Sequence, residues 1–280
     1  MSEKTFENLA QKPASRMLAS RRQAQAAEKS IIPAKPSLSA GKKTINRMRD
    51  VGAISPALKA LREYDGVLEP SYETKVAFIN KVLERFGFSG EQAEIILCQF
   101  HREGYNYLAK PPIELDPKVV AGGDNTGMVQ IRPGTARSMA QKLGIPELRG
   151  ISPVRRTVKK KDGTMKTVSS ERPLINYLRD HWATTVILGV AYLAEQRDDI
   201  RKMSGTLEPM EEMRRILASY NAGPGRFRGA FKKEPHSWLK LMPSITRKYV
   251  EELTDSGYRQ KRFAAARTRV ANVRAKSKKA

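Results

Sequence analysis

The sequence of 280 residues contains one cysteine and three histidines, and its acidic residues are far outnumbered by basic ones. The single Cys98 excludes a disulfide within the chain, and so few Cys and His residues argue against a structural zinc site. No apolar run approaches the length of a membrane-spanning helix, which is about 20 residues. The first residues lack a cationic start followed by an apolar stretch, so we expect no secretory signal peptide and synthesis in a reducing cytoplasm.

The positive charge is concentrated in three segments. The formal net charge of +23 arises from 52 Lys and Arg against 29 Asp and Glu. Residues 1–50 carry +7, residues 151–172 carry +5, and residues 258–280 carry +9 with no acidic residue. The other 185 residues are almost neutral. This distribution indicates one globular domain with basic appendages, and it argues against a uniformly cationic nucleic-acid-binding protein.

The hydrophobic pattern predicts helices from about residue 71. Apolar side chains recur at spacings of three and four over 75–86, and again over 90–102, where they cover a wide face. Further helices are predicted over 133–143, 174–196, 209–220 and 245–253. Cys98 lies on the apolar face of the second helix, and we expect a core residue rather than a nucleophile because no basic cluster adjoins it.

One segment has the pattern of a β-hairpin. Residues 154–170 alternate around Asp162-Gly163, and most of their charges are basic. We therefore predict a mainly α fold with one inserted basic β-hairpin at about 154–170. The chain divides into a basic N-terminal arm and linker at 1–70, a helical domain at 71–257 and a basic C-terminal tail at 258–280. The tail either forms a helix on a polyanionic surface or remains solvated.

Four segments occur in an order that resembles a known family. They are Phe100-His101-Arg102-Glu103-Gly104, Gly127-Met128-Val129-Gln130-Ile131-Arg132-Pro133-Gly134-Thr135-Ala136, Gly189-Val190-Ala191-Tyr192-Leu193 and Ser219-Tyr220-Asn221-Ala222-Gly223. Together they resemble the catalytic domain of soluble lytic transglycosylases, which is similar to goose-type lysozyme. The resemblance covers about residues 75–253 and implies a lysozyme-like helical fold.

Glu103 has the features of a general acid. A carboxyl group at the C-terminal end of an apolar helix lies at the negative pole of the helix dipole and against desolvating surface, and both raise its pKa. The resemblance implies that Glu103 protonates the bridging oxygen of a MurNAc–GlcNAc linkage and then accepts the proton of the sugar's 6-hydroxyl, which closes a 1,6-anhydro ring. The alternative is a solvated glutamate at a helix end.

The resemblance also implies a set of substrate-binding residues and neither a metal nor another cofactor. The implied set lines the groove beside the acid and consists of Gly127, Met128, Gln130, Tyr192, Tyr220 and Asn221. Tyr220 is implied to hydrogen-bond near the acid or the sugar, and Asn221 to hold the turn. Core packing is the alternative for Tyr220 and, more strongly, for Tyr192, whose helix is apolar in any interpretation.

The sequence departs from the family pattern at several positions. Gly104 replaces the usual Ser after the acid, Arg132 replaces a usual Met, and Ile245 stands where a supporting Glu is common. Glu103 and Gln130 are 27 residues apart, and Pro111-Pro112 lies between them, so the loop over the cleft is expanded. Asp124 or Glu114 is a candidate for a second carboxylate.

These observations lead to one main hypothesis and two alternatives. The main hypothesis is a peptidoglycan lytic transglycosylase that a bacteriophage particle carries to the host envelope, since an enzyme without an export signal would not otherwise reach the wall. Residues 1–70 and 258–280 would then contact other virion proteins or, without sequence specificity, DNA. The alternatives are a structural virion or ejection protein that keeps the fold with little or no activity, which Gly104 and Ile245 favour, and a nucleic-acid-binding protein.

Overall fold

The computed structural model describes residues 56–67, 70–121, 124–159 and 161–277. Residues 1–55 of the predicted arm and linker at 1–70 lie outside this range. The helices are α1 (Pro56–Arg62), α2 (Tyr72–Arg85), α3 (Gly90–Glu103), α4 (Pro133–Lys142), α5 (Arg172–Asp180), α6 (Trp182–Ser204), α7 (Pro209–Ala222), α8 (Pro224–Lys233), α9 (Ser244–Thr254) and α10 (Ser256–Ser277). Three short 3-10 turns cover Glu63–Gly66, Glu147–Arg149 and Trp238–Leu241.

The prediction of a mainly α fold with one inserted basic hairpin is confirmed. Strands β3 (Val154–Lys159) and β4 (Met165–Ser170) pair antiparallel, with Thr157 opposite Thr167. Gly163 has a φ of 83° in the connecting turn, where the Asp162 carboxylate accepts a hydrogen bond from the backbone N–H of Thr164 at 3.0 Å. A second antiparallel pair, β1 (Val120–Ala121) with β2 (Asn125–Thr126), had no sequence signal and lies just before the Gly127–Ala136 segment.

Helices α2 and α3 form where the apolar spacing predicts them. Ser71 caps α2 by accepting a hydrogen bond from the Thr74 backbone N–H at 3.1 Å. Ile79, Val82 and Leu83 of α2 are completely buried. Cys98 of α3 is also completely buried, and burial raises the pKa of its thiol to about 11, as expected for a core residue.

The prediction of one helix over 174–196 was wrong, because the chain breaks at His181 between α5 and α6. The carboxylate of Asp65 accepts hydrogen bonds from the backbone N–H groups of Ala183 at 2.7 Å and Thr184 at 3.1 Å. A residue 118 positions away therefore caps α6, and such a cap has no local sequence signal. Helix α6 is buried along most of its length and forms the centre of the domain.

Segments on both sides of the predicted 71–257 domain pack against it. Leu61 of α1 is buried, and Arg62 donates to Thr184 of α6 at 3.1 Å. At the other end, α10 lies against α3 and buries Arg259 and Ala266. Of the two alternatives for the tail, the structure shows a helix, which extends to residue 277. The inner face of this helix contacts the domain itself. No helix in the described ranges is long and apolar enough to cross a bilayer.

Arg259 attaches α10 to the domain, and we expect Arg259→Met to lower the free energy of unfolding by about 1–2 kcal/mol. The Arg259 side chain is 2% exposed. It donates to the carbonyls of Leu253 at 3.1 Å and Thr254 at 2.9 Å, and it pairs with Glu91 at 2.7 Å. The variant leaves the two carbonyls without this donor. Urea unfolding measures the change.

Arg274→Met is the matched control, because Arg274 lies on the same helix and its ion pair with Glu73 is more than half exposed. A change within about 0.5 kcal/mol is expected there. Equal effects of the two substitutions would contradict the role assigned to Arg259.

Candidate active site

A cavity of about 530 Å³ lies where α3 and α7 end, where α4 and α8 begin, and beside α6. Its wall contains five of the seven predicted site residues, which are Glu103, Gln130, Tyr192, Tyr220 and Asn221. Gly127 and Met128 do not belong to the wall. The cavity thus brings together residues from four segments that are far apart in the chain.

Glu103 is the last residue of α3 and keeps part of its surface open to the cavity. Burial nevertheless raises the pKa of its carboxyl group above the ordinary value. The Tyr249 hydroxyl, Arg102 and Arg262 lower the pKa but do not cancel the effect of burial. Glu103 is therefore a carboxyl group that holds its proton to a higher pH than a solvated glutamate does.

Tyr249 of α9 interacts with the acid from outside the cavity wall, and the sequence pattern did not predict it. It is 2% exposed, and its hydroxyl has no hydrogen-bond partner at good geometry. The hydroxyl lies close enough to Glu103 to lower the pKa of the carboxyl group, while burial and then the charge of Glu103 raise the pKa of Tyr249 far above its usual range. Tyr249 is thus a protonated donor facing the acid. Its position four residues after Ile245, one of the departures from the family pattern, was the available signal.

Gln130 lines the cavity in a strained turn. Its φ is 47°, a left-handed value that is uncommon outside glycine. The side-chain amide donates to the carbonyl of Gly127 at 2.7 Å, which keeps that carbonyl away from a ligand. The Gln130 Oε1 atom is buried and has no partner in the structure. This oxygen is therefore a buried acceptor beside the cavity whose hydrogen-bonding capacity is not satisfied by the described residues.

Two glycines allow the segment before Gln130 to lie against two helices. A Cβ atom on Gly104 would stand 2.6 Å from Cβ and 2.8 Å from Cα of Met128. A Cβ atom on Gly189 of α6 would stand 2.8 Å from Cβ of Val129. Met128 is consequently a core residue, 1% exposed, and Gly104 is the residue that its position requires. The departure from the family pattern at Gly104 has a packing reason.

Tyr220 and Asn221 hold the opposite side of the cavity at the end of α7. The Tyr220 hydroxyl donates to the carbonyl of Val129, and burial together with the charge of Glu103 raises the pKa of Tyr220 well above its usual range. The Asn221 side-chain oxygen accepts a hydrogen bond from the Thr246 hydroxyl at 2.7 Å. Ile245, the residue beside Thr246, is 71% exposed and lies outside the cavity wall. The departure from the family pattern at Ile245 therefore alters the exposed surface and not the cavity wall.

Tyr192 belongs to both the cavity wall and the packing of α6. Its ring lies 5.8 Å from the ring of Tyr220 at an interplanar angle of 51°. Burial raises the pKa of its phenol, so the hydroxyl is protonated at neutral pH. The two phenol rings are thus neighbours in the cavity wall.

The other carboxylates of the cavity are not those proposed from the sequence. Neither Asp124 nor Glu114 belongs to the wall. Glu195 and Asp199 of α6 do, and each is paired with a cation, Glu195 with Lys142 and Asp199 with Arg228 at 2.9 Å. Glu103 is the one carboxyl group of this wall, among the residues described, that has no ion pair.

In the described part of the chain, no group of three or more His, Cys, Asp and Glu residues is arranged to hold a metal ion. Comparison with known proteins found no match to a family and no match to a curated protein.

Proposed function

We propose that the protein is a lytic transglycosylase that cleaves the β-1,4 linkage between MurNAc and GlcNAc in peptidoglycan. The observation that carries the proposal is Glu103, a desolvated carboxyl group with a raised pKa at the wall of a cavity. A volume of about 530 Å³ lies within the range of ligand pockets, about 300–1,000 Å³. Such a volume is suited to sugar residues on the two sides of one glycosidic bond.

The proposed reaction uses Glu103 twice. Its proton passes to the bridging oxygen while the bond from that oxygen to C1 of MurNAc breaks. The 6-hydroxyl oxygen of the same MurNAc then forms a bond to C1, and its proton returns to the Glu103 carboxylate. No water is consumed, and the acid is restored. A carboxyl group whose pKa burial has raised suits both steps, since it keeps its proton to a higher pH than a solvated glutamate and its carboxylate accepts a proton more readily.

The pairing of the other wall carboxylates favours this reaction over inverting hydrolysis. An inverting glycosidase needs a second carboxylate, acting as a general base, to activate water on the opposite face of the sugar. Glu195 and Asp199 are each held in an ion pair with a cation, Glu195 with Lys142 and Asp199 with Arg228. The 6-hydroxyl of the substrate supplies the nucleophile instead, and Tyr249 and Tyr220 are phenol groups on the protein side of the acid.

The test is the chemistry of the products. Purified peptidoglycan sacculi are incubated with the full-length protein, and the released muropeptides are separated by liquid chromatography and weighed by mass spectrometry. We expect ends that are lighter by one water than reducing ends and that resist reduction by borohydride. Sacculi treated with the Glu103→Gln variant are the blank.

Two other outcomes of this experiment would contradict the proposal. Ends that borohydride reduces would contradict the transglycosylase and indicate hydrolysis. No release by the wild-type protein would contradict enzymatic activity and favour a structural virion component. That alternative was suggested by Gly104 and Ile245, and both now have explanations outside the chemistry, namely the Met128 contact and an exposed surface position.

A further inference from the structure

The inner face of α10 carries arginines that contact the region behind Glu103. Arg262 donates to the carbonyl of His101 at 2.8 Å, and that carbonyl lies in the last turn of α3, two residues before Glu103. Backbone carbonyls in the last turn of a helix lack partners within the helix. Arg262 therefore provides a hydrogen-bond donor for a backbone carbonyl at the end of α3, next to the acid.

Arg269 contacts the loop that follows the acid. It forms an ion pair with Glu114, and its guanidinium lies over the ring of Tyr105 at 4.6 Å. Tyr105 comes two residues after Glu103, and Glu114 belongs to the same loop, which leads to β1. One side chain of α10 thus holds the expanded loop at two points.

A buried polar cluster connects the two arginine contacts. His101 is completely buried, with Nδ1 3.2 Å from the Glu114 carboxylate and Nε2 3.2 Å from the Tyr72 hydroxyl. The ring of Phe263, also on α10, packs edge-on against His101 at 5.4 Å. The end of α3, the following loop and α10 are therefore joined through one completely buried imidazole. A shift of α10 would be transmitted to the end of α3, since a packed polar network has few alternative arrangements.

We infer that α10 is a positioning element for the acid, with Arg262 and Arg269 as positioning residues that hold the end of α3 and its following loop so that Glu103 faces the cavity. Neither arginine belongs to the cavity wall. Both act through the backbone or through His101, Tyr105 and Glu114. The catalytic part of this inference rests on the proposed function, whereas the electrostatic part concerns the ionisation of Glu103 alone.

The charge of Arg262 affects a quantity that can be measured, the pKa of Glu103. A role of Arg262 in folding alone would not change that pKa. The groups that interact with Glu103 are Arg102 of its own helix, Tyr220 of α7, Tyr249 of α9 and Arg262 of α10. Arg262 lowers the pKa of Glu103 against the effect of burial. Removing its charge should raise that pKa further. The alkaline limb of the pH–rate profile, which reports the protonated acid, should then move to higher pH.

The experiment follows the titration of Glu103 in the full-length chain by carbon-13 NMR, with its signal identified by its absence from Glu103→Gln. Four proteins are compared: wild type, Arg262→Gln, Arg262→Lys and Arg274→Gln. We expect Arg262→Gln to raise the pKa of Glu103, Arg262→Lys to keep it near that of wild type because the charge remains, and Arg274→Gln to leave it unchanged. Arg274 is the control because its contact with Glu73 is exposed and lies at the far end of α10.

A wild-type titration in Arg262→Gln, or an equal shift in Arg274→Gln, would overturn the inference. Should Arg262→Gln not fold, Arg269→Gln decides the question through its kinetics. We expect about a tenfold lower kcat with little change in KM, within the roughly 10²-fold that a misplacement of 1 Å costs. An unchanged kcat would overturn the inference. The NMR titration needs no substrate, so a wild-type protein that cleaves nothing would remove the proposed function and still leave the titration as a test of the contact between Arg262 and the end of α3 that carries Glu103.

Discussion

Glu103→Gln is expected to lower the rate of peptidoglycan cleavage by about 10²–10⁴-fold, the contribution of general acid–base catalysis. Glutamine keeps the size of the side chain but supplies no acidic proton. Because Glu195 and Asp199 are engaged by cations, the cavity wall offers no free carboxyl group to replace the acid. Initial rates of muropeptide release at several concentrations of sacculi separate kcat from KM, and we expect the loss in kcat.

Glu94→Gln is the matched control, since it makes the same chemical change on the same helix. Glu94 is about half exposed, pairs with Arg259 at 3.0 Å and lies outside the cavity wall. Its rate should stay within twofold of wild type, because Arg259 keeps Glu91 and the carbonyls of Leu253 and Thr254 as partners when Glu94 loses its charge. A Glu103→Gln variant as active as Glu94→Gln would exclude Glu103 as the acid.

The Glu103→Gln variant should be at least as stable as the wild-type protein near neutral pH. Burial raises the pKa of Glu103 in the folded chain above its value in the unfolded chain. The wild-type protein therefore loses stability as the pH rises through the folded pKa, while glutamine has no charge to bury. Thermal unfolding of both proteins from acid to neutral pH should show the difference widening and then becoming constant above the folded pKa. A difference that does not change with pH would contradict the desolvation of Glu103.

Gly104→Ser is expected to lower the free energy of unfolding by about 3 kcal/mol, the upper end for inserting atoms into a packed core. The new Cβ would meet both Cβ and Cα of Met128 below 3.0 Å, so shortening the Met128 side chain does not remove the conflict. The backbone of 127–130 must move, and Gln130 moves with it. We also expect cleavage to fall on the order of tenfold, because small errors in positioning are costly. Urea unfolding and the sacculus assay measure the two effects.

Gly229→Ala provides the control for adding a Cβ to a glycine. Gly229 lies in the exposed interior of α8, and nothing stands within 4 Å of the added atom. We expect this variant to gain about 0.5–1 kcal/mol, because alanine has less conformational freedom to lose than glycine. A Gly104→Ser protein that tolerates the substitution as well would show that the Met128 contact relaxes at little cost.

The elements that the sequence predicted are those with local causes. The spacing of Ile79, Val82 and Leu83 produces one apolar stripe, and α2 buries it. Asp162 and Gly163 form the turn of the hairpin through contacts within a few residues. The composition of 258–280 could not decide between a helix and a solvated tail, since the acidic partners Glu91 of Arg259 and Glu114 of Arg269 stand more than 150 positions earlier in the chain.

The site was predictable in its residue types and only partly in its geometry. Glu103, Gln130 and Tyr220 lie at the ends of elements, where the chain turns and side chains become accessible to a cavity. Met128 was assigned to the groove and is buried instead, because Gly104 leaves space for it. Tyr249 was overlooked because its importance arises from facing Glu103 across the fold, and its place four residues after Ile245 does not by itself indicate that contact.

The scarcity of cysteine and histidine, the clustered positive charge and the apolar periodicity by themselves determined a helical domain with a basic hairpin and one carboxyl group at the end of an apolar helix. Only the tertiary structure decided how strongly that carboxyl group is desolvated, which donors face it and which helix holds it in place. The physical reason is that helix and turn formation depend on neighbours in the chain. A pKa depends on every charge, donor and apolar surface within a few ångströms, wherever in the chain they originate.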